Sequence, residues 1–114
     1  MSVEIVKTSR PLDKVEQYLM TVAPSIIGIN TLEDGAKIAV DAYCNYRDVK
    51  ETGEVIDLLS IITPDKKVYV TNSDTFKNSF DDIAAIFEGE PFTIVKNSGL
   101  SKAGRKYIVA WLDI

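Results

Sequence analysis

The side chains with the most chemistry to offer are aromatic and basic, and most of them fall late in the chain. Tyr43 and Arg47 share the polar face of one alternating segment, Tyr46 lies on its apolar face, and Tyr69 sits in a short apolar run further on. Tyr107 and Trp111 occupy one face of the final segment, while Lys96, Lys102, Arg105 and Lys106 surround the loop before it. Exposed rings on strands stack on unpaired bases, and cations along the same path neutralise phosphates; each stack is worth on the order of 1–3 kcal/mol. Strand tyrosines and tryptophans also pack in cores, and Trp111 reads as structural on its type alone.

Other chemistries find less support. Histidine is absent, which removes the commonest general base and zinc ligand. No glycine-rich phosphate loop, nucleophile elbow or metal-ligand spacing occurs, so neither an enzyme nor a cofactor is expected. Asp81, Asp82, Glu88 and Glu90 could be taken for a cation site, but solvation of an outer helix face explains them better. Asp41 and Asp57 read as ordinary surface carboxylates. Cys44 falls on an apolar strand face, as a small buried hydrophobe does. A single cysteine forms no intrachain disulfide, and a reducing cytoplasm is the expected setting.

The formal net charge is −4, which disfavours binding polyanions through bulk charge. Its distribution is uneven. From Asp74 to Glu90, five acids (Asp74, Asp81, Asp82, Glu88, Glu90) accompany the lone base Lys77, whereas Pro91 to Leu112 holds the four late bases and no acid. With 114 residues, 46% of them hydrophobic, the chain suits one globular domain, 1–114. No apolar run nears the roughly 20 residues of a membrane span, and no signal-peptide pattern opens the chain.

The elements that must position these residues centre on Ser73–Gly89. Phe76, Phe80, Ile83, Ala84 and Phe87 form a helical apolar stripe. Ser73 or Asp74 caps its start, Gly89 suits the position past its last turn, and Pro91 bars continuation. Three strands are expected before it: Lys37 to Asp48, Val55 to Thr63 and Val68 to Asn72. In the first, Ile38, Val40, Ala42, Cys44 and Tyr46 share one face, opposite Lys37, Asp41, Tyr43, Asn45 and Arg47. Two strands follow, Phe92 to Ser98 and Tyr107 to Leu112, joined by a flexible basic loop. A three-strand meander, a helix and a closing hairpin match the OB-fold, a mainly β, five-stranded Greek-key barrel with one helix between its third and fourth strands. An extra helix from Pro11 would bury Leu12, Val15, Leu19 and Val22 and end at Pro24. With an opening strand or covering run over Pro24 to Leu32, it makes residues 1–34 an amino-terminal covering segment. Val3 to Val6 is a short strand or an unattached arm.

The chain also resembles a family. Asp34-Gly35 leads into a strand ending Asn45-Tyr46-Arg47. Val68-Tyr69, the helix opening Ser73-Asp74-Thr75, Phe92, and Gly99-Leu100-Ser101-Lys102-Ala103-Gly104 before Tyr107 follow in order. Over about its last 80 residues the sequence resembles the single-stranded DNA-binding proteins of small tailed phages, including protein-primed ones. The first 35 residues depart from that pattern. The resemblance implies an OB-fold that coats the displaced strand in a host cytoplasm, meets replication proteins such as a polymerase, and uses neither catalysis nor metal. It points to Tyr46, Tyr69 and Tyr107 as contact residues. Single-stranded RNA is a close variant, and the oligomeric state stays open. A different class also fits: a small β-barrel module, an inhibitor or assembly factor, that meets a protein through the amino-terminal helix or the acidic helix face. The two differ in placement, since strand binding needs the late bases beside exposed tyrosines, and protein binding needs those tyrosines buried and an apolar patch elsewhere.

Overall fold

A computed structural model describes residues 2–114 as a mainly β fold with two α-helices. The strands are β1 (Ser2–Thr8), β2 (Ile27–Gly28), β3 (Lys37–Val40), β4 (Ala42–Val49), β5 (Val55–Ile62), β6 (Val68–Thr71), β7 (Phe92–Leu100) and β8 (Lys106–Leu112). The helices are α1 (Lys14–Thr21) and α2 (Asp74–Phe87), and a short 3-10 turn spans Ile29–Thr31. One sheet runs β1-β4-β5-β6-β2 and the other β3-β7-β8. The sheets do not close into a barrel.

The expected strand from Lys37 to Asp48 is interrupted at Asp41, and this break connects the sheets. β3 pairs with β7, while β4 pairs with β1 and β5. Between them the Asp41 N–H donates to the Ile62 carbonyl at 3.0 Å. The interruption also changes which face is which. Ile38 and Val40 belong to the core between the sheets, and past the break so does Tyr43, whereas Ala42, Cys44 and Tyr46 point to the opposite side. Uninterrupted alternation puts Tyr43 outside; the structure corrects this. Its ring is buried and meets Phe80 edge-on, with centroids 5.0 Å apart.

Helix α2 closes one end of that inner core. Phe76, Phe80 and Ala84 are buried, Ser73 caps the helix by accepting from the Phe76 N–H, and Phe87 stacks on Phe92 at 4.9 Å. Glu88 and Gly89 take left-handed conformations (φ 49° and 89°) that end the last turn. The helix also covers the free edge of β8. The Thr75 hydroxyl donates to the Ile108 carbonyl at 2.8 Å, and the Ser79 hydroxyl accepts from the Ala110 N–H at 2.9 Å. These bonds satisfy backbone groups that pairing with β6 would otherwise take.

The outer face of the five-stranded sheet carries a second core. Met20 of α1 is buried there with Ala42, Cys44, Tyr46, Ile62 and Val68, flanked by Leu12, Leu19 and Ile26. The amino-terminal segment is thus a cover, and β1 is an edge strand rather than an arm. α1 is shorter than the sequence suggests and turned about its axis. Its cap is Asp13, in a capping box with Glu16. Val15 and Val22, expected inside, are 66% and 51% exposed, while Glu16 is buried. An ion pair below the helix outcompetes the apolar stripe.

Truncating a buried aromatic removes transfer energy and leaves a cavity. Phe80→Ala is expected to lower unfolding free energy by about 3–5 kcal/mol in urea titrations. A loss below about 1 kcal/mol would mean that α2 does not seal the core.

Candidate nucleic-acid interface

The β7–β8 hairpin gathers the surviving candidates. Its ladder pairs Val95 with Trp111, Asn97 with Val109 and Gly99 with Tyr107. Directly opposed residues share a face, and Tyr107, Val109 and Trp111 form one row, the shared face that alternation indicates; the structure turns this row outward and so corrects the structural reading of Trp111. Trp111 is 60% exposed and Tyr107 38%. The Tyr107 ring lies across Gly99, where a Cβ would come 2.6 Å from the phenol oxygen; only glycine leaves that ring its seat. Lys37, opposite Val95 on the neighbouring strand, pairs with Asp113 at 3.4 Å.

The connecting loop is a hydrogen-bonded turn rather than a flexible one. The Gly104 N–H donates to the Ser101 carbonyl and the Ser101 N–H to the Arg105 carbonyl, both at 2.9 Å. Gly104 takes φ 78°, the left-handed step that such a turn requires. Lys102, Arg105 and Lys106 are exposed around it. Among the described residues none of the three is in an ion pair. Rings and bases therefore share one hairpin.

Five other expected site residues are buried or engaged, four of them on other strands and Lys96 on the inner side of β7. Tyr43 is in the inner core, as described. Tyr46 is 5% exposed beneath the amino-terminal cover. Burial, with a smaller effect of Cys44 and Asp48, pushes its phenol up to about 12. Tyr69, opposite Ile61, turns inward and packs half-buried against the inner core. Lys96 is 2% exposed, its ammonium donating to Asp34 at 2.9 Å and to the Leu32 carbonyl at 2.8 Å. That pair, with the Ser98 hydroxyl on the same carboxylate at 2.6 Å, fastens the Leu32–Gly35 approach to β7. Ser98 first and Lys96 second hold the Asp34 carboxyl below its ordinary range. Arg47 is partly exposed, but Asp57 at 3.1 Å engages its guanidinium.

A cleft of about 540 Å³ opens where the edges of β6 and β8 diverge. Gly28, Asn30, Leu58, Val70, Asn72 and Lys106 line it, with Thr71, Ser73, Tyr107 and Ile108. Sequence reasoning misses Asn30 and Asn72, because no local pattern brings the 3-10 turn after β2 and the residue that follows β6 up to the start of β8. No acidic residue lines the cleft, and Asp34, bonded to Lys96 and Ser98, also feels Lys106. Among the described residues no three of Asp, Glu or Cys stand close enough to hold a metal ion. Asp81 has its carboxyl raised, first by burial and then by Asp82. Cys44 is fully buried, and burial pushes its thiol up to about 11. No described helix is long and apolar enough to cross a membrane. No family model, curated protein or solved structure matches the chain.

An ionic clasp holds the cover over Tyr46. Arg10 reaches both Glu16 carboxylate oxygens (3.1 and 2.7 Å) and Asp41 (3.1 Å), and Lys66 approaches Glu16 at 3.7 Å. Arg10 outweighs the opposing effect of burial and, with the Asp13 N–H, lowers the Glu16 carboxyl from 4.5 to about 2. A carboxyl with a depressed folded pKa stabilises the fold above its unfolded value, and loses that contribution as pH falls through the folded one. The stability gap between wild type and Glu16→Gln is therefore expected to be full above about pH 5 and to close towards about pH 2. Urea titrations across that range check it; a gap independent of pH would contradict it.

Proposed function

We propose that the protein binds single-stranded DNA without catalysis and with little sequence preference, and coats the strand during phage-type replication. The observation that carries this reading is the hairpin, where exposed Trp111 and Tyr107 stand beside Lys102, Arg105 and Lys106 with no acid between Pro91 and Leu112. Rings supply stacking that salt does not screen, and the bases supply phosphate contacts that it does. Two stacks, at about 1–3 kcal/mol each, offset the unfavourable net charge of −4. The strand order supports an OB-type reading of the fold. From β6 through β5, the bent β4/β3, β7 and β8, the pairings follow the order of that barrel, opened along the β6–β8 seam. On this reading α2 stands where the OB helix stands, between the third and fourth barrel strands. Nothing in the hairpin distinguishes ribose from deoxyribose, so single-stranded RNA is a close variant.

A second reading has its own observation. Val15, Tyr18 and Val22 of the amino-terminal helix region are 66%, 52% and 51% exposed, at spacings that put them on one side of a helix. Tyr43 and Tyr46 are buried. This is the pattern expected of a protein-docking module, and it leaves the basic hairpin without a role.

Trp111 fluorescence, titrated with a thymine oligomer at low and moderate salt with the matching duplex as control, separates the two. Saturable quenching by the single strand that weakens with salt, with little response to duplex, supports strand binding. A flat titration together with a negative gel shift at low salt removes it. Trp111→Ala is expected to cost about 1–3 kcal/mol of binding. Arg105→Glu with Lys106→Glu should weaken binding and flatten the dependence of log K on log salt by roughly two phosphate contacts.

A further inference from the structure

We infer that the cleft between β6 and β8 takes up one unstacked nucleotide of the bound strand, base inward. The inference rests on the strand-binding reading above and gives it a second contact, one that adjoins the Tyr107 end of the hairpin and does not include Trp111.

The cleft exists because the two edges are occupied by other partners. β2 lies along the free edge of β6, with Gly28 opposite Val70, and α2 engages β8 at Ile108 and Ala110. Towards Lys106 neither edge has a strand to pair with, and the gap stays open. Its wall at the start of α2 is pinned. The Ser73 N–H donates to the Thr71 hydroxyl at 3.0 Å, and the Ser73 hydroxyl accepts from the Phe76 N–H at 3.3 Å. The opposite wall is kept thin by Gly28, where a Cβ would come 2.9 Å from the Asn30 amide oxygen.

The lining fits a nucleotide in kind as well as size. About 540 Å³ lies in the range of small-molecule sites. Leu58 and Val70, both half-buried, supply apolar surface for a base. Asn30 and Asn72 supply carboxamides, and among the described residues neither side chain has a hydrogen-bond partner. A carboxamide both donates and accepts, so two of them meet the edge of any base and impose little sequence preference. Lys106 lies on the rim and is in no ion pair among the described residues, leaving its ammonium for a phosphate. No acidic residue lines the cleft. A wholly apolar ligand would leave the amides unused, and a bare inorganic anion would leave the apolar surface unused.

Two variants block the cleft by different routes. Asn72→Leu removes an exposed amide. Gly28→Val adds a side chain at a position with ordinary extended backbone (φ −71°), where the only close neighbour is the movable end of Asn30. Each is checked for wild-type melting and then titrated with a thymine decamer. Affinity is expected to fall about 3–10-fold, the scale of one neutral hydrogen bond, with the salt dependence unchanged because no phosphate contact is removed. In wild type, the side-chain amide resonances of Asn30 and Asn72 should shift with the decamer, and with thymidine monophosphate at far higher concentration. Wild-type affinity in both variants, with unmoved amide resonances, overturns the inference and leaves the hairpin reading standing. Shifts with the mononucleotide and none with the decamer overturn the placement of the strand there. If wild type binds no decamer at all, strand binding itself fails, and this inference falls with it.

Discussion

The structure depends on one interruption. At Asp41 a strand that would run straight through a single sheet leaves one sheet and joins the other, held by its N–H on Ile62 and its carboxylate on Arg10. With that break, Ile38, Val40 and Tyr43 all face the space between the sheets, and α2 fills it with Phe76 and Phe80. Without it, alternation would turn Tyr43 outward and leave Phe80 without its edge contact. The same step turns Tyr46 to the outer face, where an apolar tyrosine needs a cover. The amino-terminal segment supplies one, and Arg10 ties cover and bend together.

This arrangement decides what is left for binding. The sheet face around Tyr46 is occupied by Met20, Leu12 and Leu19, and the inner face belongs to the core. What remains open is the outer side of the second sheet and the seam at its edge. Both lie on the hairpin that carries the basic residues. Local charge, not the sum, governs a contact made at short range, since exposed charges beyond about 8–10 Å are screened at ordinary salt. The acids of α2 lie on a different element from the bases.

How much of this was legible in the sequence varied with the range of the interactions involved. α2 is legible from its caps and stripe, and the shared face of Tyr107, Val109 and Trp111 from alternation within one short strand, because local geometry fixes both; that this face points outward is not, since Trp111 reads as core by its type. Alternation alone puts Tyr43 on the wrong face because it carries no mark of a break, and Asp41 looks like any polar strand residue. Lys96 looks like a free cation in the sequence because its partner Asp34 lies 62 residues away, and nothing local announces a buried pair. α1 was rotated in the same way: the apolar stripe suggested Val15 and Val22 as its inner face, but Arg10 and Lys66 draw Glu16 inside. The cleft needs four separate strands to be placed before it exists.

The central claim is that a single strand lies along the β7–β8 hairpin, and photocrosslinking tests it most directly. A thymine oligomer carrying a photoreactive base would be bound, irradiated and digested, and the modified residues located by mass spectrometry. Crosslinks at Tyr107 and Trp111 are the expected result. Crosslinks confined to Tyr18 and its neighbours on α1, or to the acidic face of α2, would contradict it.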